Sequence, residues 1–261
     1  MSTQFLSELF GLQGKVAVVV GGTGVLCGAM AQGMWRAGAK VALVGRSEEK
    51  AQAHFKEWGA AEGETLFVRA DVTSRSDMEA VIPEVENTLG PVDIWVNGAG
   101  INSATPYLDI EDEEFDRIVT TNLKAVHLGC QIIAKHWIGQ GRGGSIINMS
   151  SMSAIRPLSR VFTYSLTKGA VWNLTQNLAC EWAQQGIRVN ALCPGFFPAE
   201  QNRKILDASR VESIMNATPM RRFGEKEELI AATLLLASDA AGGFITGSNL
   251  VVDGGFAAKA I

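Results

Sequence analysis

Tyr164 and Lys168 are the two side chains of this sequence whose types and spacing best suit proton transfer. They open a stretch with helical character, and a separation of four residues puts both on one face of a helix. A phenol has a pKa of about 10, so its ionisation near neutral pH requires about 4 kcal/mol of phenolate stabilisation. A lysine ammonium about 4 Å away provides stabilisation of that size. We therefore predict that Lys168 lowers the pKa of Tyr164 and that Tyr164 exchanges a proton with a substrate.

Ser151 and Asn122 are polar residues expected beside this pair. Ser151 follows the fifth predicted strand, the sequence Asn97-Gly98-Ala99-Gly100 follows the fourth, and Asn122 lies in a predicted helix between them. Because parallel strands end at one edge of a sheet, these residues should converge there. Without the tyrosine and the lysine, Ser151 would be interpreted as a strand-end cap and Asn122 as a polar helix residue.

A glycine-rich turn directly follows the first predicted strand and precedes an amphipathic helix. Its sequence is Gly21-Gly22-Thr23-Gly24-Val25-Leu26-Cys27. Glycines let backbone N–H groups approach a pyrophosphate, and the helix dipole favours the negative charge. Cys27 stands where the dinucleotide fingerprint has its third glycine, and glycine turns also arise for steric reasons alone. The residues predicted to contact the phosphates of a dinucleotide are Gly21, Gly22, Thr23, Gly24, Val25 and Leu26.

Arg46 and Ser47 follow the second predicted strand, where an NAD-selective protein usually has a carboxylate. A guanidinium there can pair with a 2′-phosphate, and the serine hydroxyl can add a hydrogen bond. The sequence therefore favours NADP over NAD, with a solvated Arg46 as the alternative. Asp71 and Val72 follow the third strand, where Asp71 can accept a hydrogen bond from an adenine amino group or cap the turn at Thr73–Ser74.

Short β-branched runs alternate with longer amphipathic stretches along nearly the whole chain. This rhythm is typical of an α/β fold with a doubly wound, Rossmann-like parallel sheet of about seven strands in three α/β/α layers. No linker or repeat interrupts it, so we expect a single domain over residues 1–261. The predicted strands are Val16–Val20, Val41–Val44, Thr65–Ala70, Ile94–Asn97, Ser145–Met149, Arg188–Leu192 and Asn249–Val252.

The composition provides enough apolar surface for one large core, since 47% of the 261 residues are hydrophobic and 19% are charged. The net charge is −4 and the basic residues are scattered, so neither nucleic acid nor a membrane is an expected partner. The sequence lacks a basic and apolar leader and any long apolar segment, which favours a cytoplasmic location. The four cysteines and three histidines lack metal-ligand spacing, so no metal is expected.

Two further motifs occur in order along the chain: Asn190-Ala191-Leu192-Cys193-Pro194-Gly195 and, near the C-terminus, Val252-Asp253-Gly254-Gly255. Together with the motifs above, they make the chain resemble the short-chain dehydrogenase/reductase family from about residue 14 to residue 256. The resemblance implies an NAD(P)-dependent oxidoreductase that acts on CH–OH groups of a small-molecule substrate. It also implies self-association as a homotetramer or dimer.

The resemblance implies a role for each catalytic candidate. Tyr164 would act as general acid and base, while Lys168 would lower its pKa and hold the nicotinamide ribose. Ser151 would orient the substrate carbonyl or alcohol, and Asn122 would position a water in the proton relay. Further cofactor contacts are implied at Asn97, Gly98, Ala99, Pro194, Gly195 and Phe197.

Several positions depart from the family pattern. Val20 replaces the usual threonine before the turn, and Cys27 replaces the third glycine of the turn. Gly98 replaces the second asparagine of the usual Asn-Asn-Ala-Gly, and Ala199 replaces the threonine often found after Pro-Gly. The third glycine allows close packing of helix and strand, so the sulfur of Cys27 is expected to shift the helix or weaken pyrophosphate binding. On this basis Cys27→Gly should tighten cofactor binding.

The stretches Ser151–Arg160 and Pro194–Arg203 border the predicted site. They resemble those of the sugar-acid branch of the family, the D-mannonate oxidoreductases and gluconate 5-dehydrogenases. Arginines there can clamp a carboxylate, and amides can bind sugar hydroxyls. Each arginine is alternatively a solvated loop residue or a subunit contact. The candidates for substrate binding are Asn102, Arg156, Arg160, Gln201, Asn202 and Arg203.

Three other functions share parts of this pattern. A 3-oxoacyl-thioester reductase has the same catalytic motifs but needs a basic docking patch for its acyl carrier, and no such patch is evident in the sequence. A sugar epimerase or dehydratase of the longer branch has a similar glycine turn but carries a C-terminal substrate domain. A catalytically idle nucleotide-binding regulatory module fits the altered turn but not the retention of Ser151, Tyr164 and Lys168.

Overall fold

Seven strands form one parallel sheet in the computed structural model, which describes residues 3–197 and 207–259. The strands are β1 (Val16–Val20), β2 (Lys40–Gly45), β3 (Thr65–Arg69), β4 (Ile94–Asn97), β5 (Gly144–Met149), β6 (Ile187–Pro194) and β7 (Asn249–Val252). Their order across the sheet is β3-β2-β1-β4-β5-β6-β7, and every neighbouring pair is parallel. The predicted doubly wound parallel sheet is confirmed.

Helices connect the strands and cover the sheet. They are α1 (Thr3–Phe10), α2 (Val25–Arg36), α3 (Glu48–Trp58), α4 (Arg75–Thr88), α5 (Asp112–Val119), α6 (Ala125–Gly139), α7 (Phe162–Trp182), α8 (Ala208–Ala217), α9 (Ile230–Ala237) and α10 (Asp239–Gly242). A π-helical turn over Thr120–Lys124 joins α5 to α6, and a short 3-10 helix over Met152–Ala154 follows β5. Within the described part of the chain, no helix is both long and apolar enough to cross a membrane.

Side chains of the central strands alternate between two apolar cores. Val18 of β1 and Trp95 of β4 belong to the core shared with α4, α6 and α7. Val19 and Val96, the next residues along the same strands, belong to the core shared with α2, α3 and α9. All five residues of β1 are buried, as expected of a parallel strand with helices on both faces. The predicted three-layer α/β/α arrangement is confirmed.

The ends of some strands differ from the prediction. β6 continues to Pro194, two residues beyond the predicted end, because Pro194 still pairs with Val252 of β7. The missing N–H of this proline costs nothing at the end of a ladder. β3 ends at Arg69, although the Ala70 N–H still donates to the Gly45 carbonyl at 3.1 Å.

The strand order reverses between β1 and β4, and this reversal decides where a ligand can bind. The chain moves from β1 outward to β2 and β3, then returns to the other side of β1 to form β4. Val20 and Asn97, the last residues of β1 and β4, lie side by side in register. In open parallel sheets, ligands bind in the crevice outside the carboxyl ends of the strands at such a reversal.

Candidate active site

The glycine turn after β1 lies directly against the backbone that follows β4. Gly21 has a φ of +77°, a conformation that favours glycine, and a Cβ there would lie 2.7 Å from the Ala99 nitrogen. A Cβ on Gly22 would lie 2.6 Å from a methyl carbon of Leu43. A side chain at either position would clash with these neighbours and push the turn out of place. The turn therefore presents bare backbone where a ligand can approach closely.

Helix α2 begins at the end of this turn with its N–H groups available to an anion. Gly24 is the N-cap residue, and no side chain within residues 3–197 and 207–259 caps the first turn. The first N–H groups of a helix need a partner, and the helix dipole favours a negative one. The turn and the helix end together offer the backbone N–H groups that a pyrophosphate would need, and its contacts with Gly21 to Leu26 stay a prediction.

The ends of β2 and β3 form the far side of the crevice. Arg46 is exposed there, whereas the Ser47 hydroxyl accepts a hydrogen bond from the Lys50 N–H at 3.4 Å and so caps α3. The Asp71 carboxylate accepts hydrogen bonds from the Thr73 N–H at 2.9 Å and the Thr73 hydroxyl at 2.7 Å, and these hold the pKa of Asp71 below its usual value. The capping alternative considered for Asp71 is therefore present in the structure.

Arg69 places a second guanidinium beside Arg46. Its Nη1 donates to the Arg46 carbonyl oxygen at 2.9 Å, and its Nη2 lies 3.4 Å from a carboxylate oxygen of Glu48. Both arginines are exposed. Arg69 was not predicted as a site residue, although its pairing with Gly45 in the sheet follows from the strand order. The ends of β2 and β3 thus carry two cations, with the carboxylate of Glu48 nearby.

Ser151, Tyr164 and Lys168 converge at the carboxyl ends of β4 and β5. The Ser151 hydroxyl hydrogen-bonds to the Tyr164 phenol and also accepts from the Ser153 hydroxyl at 3.1 Å. Lys168 is buried, and its Nζ donates to the Met149 carbonyl oxygen at 2.7 Å. The same Nζ lies 5.5 Å from the centre of the Tyr164 ring. Ser153 was not among the predicted residues.

Burial dominates the ionisation of both groups of the acid–base pair. It raises the pKa of Tyr164, and the hydrogen bond from Ser151 only partly opposes this. It also lowers the pKa of Lys168 from 10.5 to about 8. In the chain alone the pKa of Tyr164 is therefore raised, not lowered as predicted. The physical reason is desolvation, which disfavours a buried phenolate and a buried ammonium alike.

Asn122 lies in the π-helical turn and uses its side chain to hold the segment after β4. Its Oδ1 accepts from the Ile101 N–H and its Nδ2 donates to the Ile101 carbonyl, both at 2.8 Å. The Nδ2 also donates to the Thr167 hydroxyl at 3.3 Å, and Thr167 in turn donates to the Tyr164 carbonyl at 2.7 Å. Asn122 thus ties the strand-end loop to the helix that carries Tyr164.

The arginines on the loop before α7 are exposed. The Arg156 Nε donates to the Ala257 carbonyl at 2.9 Å, and Arg160 has a φ of +66°. Arg210 of α8, which was not predicted, donates to the Ser159 hydroxyl at 2.6 Å. These contacts hold the loop before Tyr164 between α8 and the C-terminal segment.

The remaining predicted residues have varied environments. Asn97 is buried and donates to the Asn148 side chain at 2.9 Å, so its amide supports the sheet. Asn102 is exposed, and its Oδ1 accepts from the Ser103 N–H at 2.8 Å. The predicted substrate residues Gln201, Asn202 and Arg203 lie outside the described residues.

Residues after β6 border the crevice mainly through their backbone. The Gly195 N–H donates to the Val252 carbonyl at 2.9 Å, and a Cβ on Gly195 would lie 2.7 Å from the Cα of Asp253. The ring of Phe197 belongs to the core on the α2 side of the sheet. A cofactor contact at Phe197 would therefore use its main chain. Among the described residues, no three His, Cys, Asp or Glu side chains are grouped to hold a metal ion.

Comparison with known proteins decides the family. A family model described as Enoyl-(Acyl carrier protein) reductase matches residues 25–257. An uncharacterized oxidoreductase of Bacillus subtilis (strain 168), UxuB, is 39% identical over 268 residues, which cover 95% of this chain and 96% of that protein. The chain belongs to the short-chain dehydrogenase/reductase family.

Solved structures of the short-chain dehydrogenase/reductase family share the whole fold. A gluconate 5-dehydrogenase from Burkholderia cenocepacia J2315, in complex with NADP and tartrate, is 34% identical with a TM-score of 0.90, covering 98% of this chain and 100% of that one. A candidate D-mannonate oxidoreductase from Haemophilus influenza with bound NAD is 33% identical with a TM-score of 0.89, covering 98% and 99% of the two chains. The protein is accordingly an NAD(P)-dependent oxidoreductase that acts on CH–OH groups.

Proposed function

We propose that this short-chain dehydrogenase/reductase interconverts a secondary alcohol and a ketone of a sugar acid, of the mannonate–fructuronate or gluconate–5-ketogluconate type. The observation that carries the proposal is that Ser151, Tyr164 and Lys168 lie together at the carboxyl-end edge of the sheet, beside a turn whose glycines leave the backbone bare. A proton-transferring group next to a nucleotide cradle is what hydride chemistry on an alcohol requires.

Tyr164 gives a proton to the substrate oxygen during reduction and removes it during oxidation. Because burial raises its pKa, the neutral phenol is the resting form, which is the form that ketone reduction needs. Oxidation needs the phenolate, and the nearby Lys168 ammonium stabilises that charge in a site from which substrate has excluded water. The Ser151 hydroxyl, already hydrogen-bonded to the phenol, orients the same substrate oxygen.

A bound nicotinamide cofactor would supply or accept the hydride. The backbone of Gly21 to Leu26 would hold its pyrophosphate, and Lys168 would hold its nicotinamide ribose. Asn122 has both side-chain atoms engaged by Ile101. Its contact with a relay water would therefore be made by the main-chain carbonyl, while the side chain fixes the strand-end loop.

The cofactor preference that we propose is NADP over NAD. Arg46 and Arg69 lie at the neighbouring ends of β2 and β3, where the Arg69 guanidinium donates to the Arg46 carbonyl oxygen, and both side chains are exposed. A 2′-phosphate can accept charge-assisted hydrogen bonds from both arginines, whereas an uncharged ribose hydroxyl can form only weaker hydrogen bonds with them. Glu48 is a nearby carboxylate that favours NAD, and its contact with Arg69 is 3.4 Å long and exposed.

The sugar-acid substrate is supported by two arguments. Arg156 and Arg160 are exposed on the loop before Tyr164, where a carboxylate at the end of a hexonate can reach a guanidinium. A gluconate 5-dehydrogenase and a candidate D-mannonate oxidoreductase also share the fold over nearly the whole chain. The residues Asn102, Gln201, Asn202 and Arg203 remain part of this proposal as contacts to the carboxylate and hydroxyls.

A panel of substrates tests the proposal. Hexonates, ketohexonates, neutral polyols and a 3-oxoacyl thioester are each assayed with NADP and NAD by the absorbance of the reduced nicotinamide. We expect turnover with at least one hexonate or ketohexonate at a higher kcat/KM than with any polyol. Turnover of the thioester alone would favour the 3-oxoacyl-thioester reductase, and a lack of turnover with every substrate would favour the idle module.

The variant Arg156→Met tests the carboxylate contact in the same panel. It should raise KM for the hexonate by about tenfold or more, since a hydrogen bond to a charged group contributes about 1.5–3 kcal/mol. The KM for a neutral polyol should change by less than about twofold. Arg75→Met, at an exposed arginine of α4, is the matched control. Equal effects of Arg156→Met on both substrates would contradict the carboxylate contact.

Self-association is also part of the proposal. Tyr107 and Phe162 stack edge to face with ring centres 5.3 Å apart, and both are exposed beside Leu108 and Leu166. An apolar group of this kind on the surface commonly marks a contact between subunits. Light scattering after size-exclusion chromatography should give the mass of a dimer or tetramer, and Leu166→Lys should lower it. A monomeric mass for the unaltered protein would contradict this part.

A further inference from the structure

Two of the departures from the family pattern, Cys27 and Gly98, are in direct contact. Cys27 lies in the first turn of α2 and is buried, whereas Gly98 follows β4. A Cβ built on Gly98 would overlap the Cys27 sulfur. The Cys27 thiol also donates a weak hydrogen bond to the Gly98 carbonyl at 3.7 Å. The sulfur therefore occupies the space that a side chain at position 98 would need.

Position 98 requires glycine because a side chain there would clash, and not because its backbone conformation favours glycine. Its φ lies outside the positive range, so residues with a side chain can adopt its conformation. Besides the sulfur, a Cβ there would lie 3.1 Å from the Val20 carbonyl and 3.4 Å from the Met149 Cγ. The identity of residue 98 is thus coupled to that of residue 27.

The pair lies between the two halves of the site. On one side, Gly21 of the pyrophosphate turn packs against the backbone of Gly98 and Ala99. On the other side, Met149 accepts the hydrogen bond from Lys168. The charge states of Cys27 and Lys168 influence each other electrostatically. A movement of α2 relative to β4 would therefore change the position of the cofactor phosphates relative to Lys168.

The Cys27 thiol affects this contact through the space that its sulfur occupies. Burial raises the pKa of Cys27 to about 11, so the group is a neutral thiol at physiological pH. A buried neutral thiol behaves as a small apolar side chain and is a poor nucleophile. Its sulfur points to Gly98, so the earlier expectation that Cys27→Gly tightens cofactor binding no longer has a steric basis. Removing the sulfur would instead leave a void at the helix–strand contact.

We propose that Cys27 and Gly98 form a matched pair of positioning residues, which holds the glycine turn and the start of α2 in register with Lys168. The proposal rests on the proposed function only in taking this crevice as the cofactor site. It predicts that substitutions at the two positions compensate each other. It also predicts that the effect is on cofactor affinity more than on turnover at saturating cofactor.

A double-mutant cycle tests the proposal, with dissociation constants for NADP and NAD measured by calorimetry in the absence of substrate. Cys27→Gly should raise the cofactor Kd about fivefold, because a void loosens the turn. Gly98→Ala should raise it more than about tenfold, because its methyl group meets the sulfur. The double variant should return to within about threefold of the unaltered protein, whereas independent effects would multiply to about fiftyfold.

Further measurements separate positioning from general stability. In the two single variants the KM for cofactor should rise while kcat at saturating cofactor changes by less than about threefold. The pair Cys180→Ala and Gly139→Ala, at an exposed cysteine and at a glycine with open space, should show no such coupling. If Gly98→Ala fails to fold, recovery of a folded double variant supports the pair.

The outcomes that overturn the proposal are distinct from failure of the substrate proposal. Multiplicative effects on Kd in the cycle would overturn it. A cofactor Kd for Cys27→Gly that is equal to or lower than that of the unaltered protein would also overturn it. This Kd can be measured even if both Gly98 variants fail to fold. Because no substrate is present, these results do not depend on which alcohol the enzyme oxidises.

Discussion

Replacing Lys168 with methionine should make the cofactor-free protein more stable near neutral pH while abolishing its turnover. Lys168 is 3% exposed, so its charge is removed from water on folding. Burial lowers its pKa from 10.5 to about 8, which means that the folded chain binds this proton less tightly than the unfolded chain. Between these two values the unfolded state binds more protons, so the stability of the unaltered protein rises with pH across that window.

The shift sets the size of the effect. At pH 7 the buried charge costs about 3 kcal/mol of folding free energy, and at pH 10 it costs only about 1 kcal/mol, at 1.36 kcal/mol for each pKa unit. Loss of the hydrogen bond to the Met149 carbonyl costs the variant about 2 kcal/mol at every pH. Lys168→Met should therefore be more stable by about 1 kcal/mol at pH 7 and less stable by about 1 kcal/mol at pH 10.

Urea unfolding of the cofactor-free proteins between pH 7 and pH 10 measures this difference. The difference between Lys168→Met and the unaltered protein isolates the titration of Lys168, because all other ionisable groups are common to both. Lys56→Met, at an exposed lysine of α3, is the matched control and should show no such pH dependence. A stability difference that stays constant or grows from pH 7 to pH 10 would refute the reasoning.

Two further predictions concern the cofactor end of the site. Gly21→Ala should weaken cofactor binding more than about tenfold, because its methyl group meets the backbone after β4. Gly59→Ala, with a similar φ of +71° and open space, should lower the melting temperature but leave the cofactor Kd unchanged. The double variant Arg46→Ala/Arg69→Met should raise KM for NADP at least about tenfold more than KM for NAD. Arg75→Met is its control, and equal changes for both cofactors would argue against a 2′-phosphate site at these arginines.

Most of the fold could be predicted from the sequence because buried parallel strands are almost continuously apolar. Their ends were less predictable, since pairing across the sheet extends β6 to Pro194. The π-helical turn around Asn122 was not predicted at all. The hydrogen bonds that Asn122 makes from this turn reach Ile101, 21 residues earlier in the chain, and give no periodic signal in the sequence.

The members of the site could be predicted because the ends of parallel strands share an edge, but their environments could not. The spacing of Tyr164 and Lys168 indicates that they meet, whereas the direction of each pKa shift depends on burial. Cys27 and Gly98 are two unrelated departures from the family pattern in the sequence, but in the structure their atoms are in direct contact. Arg69 enters the site only through the order of the strands.

Turnover by Tyr164→Phe tests the central role assigned to Tyr164 most directly. The variant keeps the ring and removes the hydroxyl that exchanges the proton, and general acid–base catalysis contributes about 10²–10⁴-fold to a rate. We predict that kcat with the best sugar acid falls by about that factor while the Kd for cofactor stays within about twofold. A variant that binds cofactor normally and retains kcat within about tenfold of the unaltered protein would contradict the assignment of Tyr164 as the acid and base.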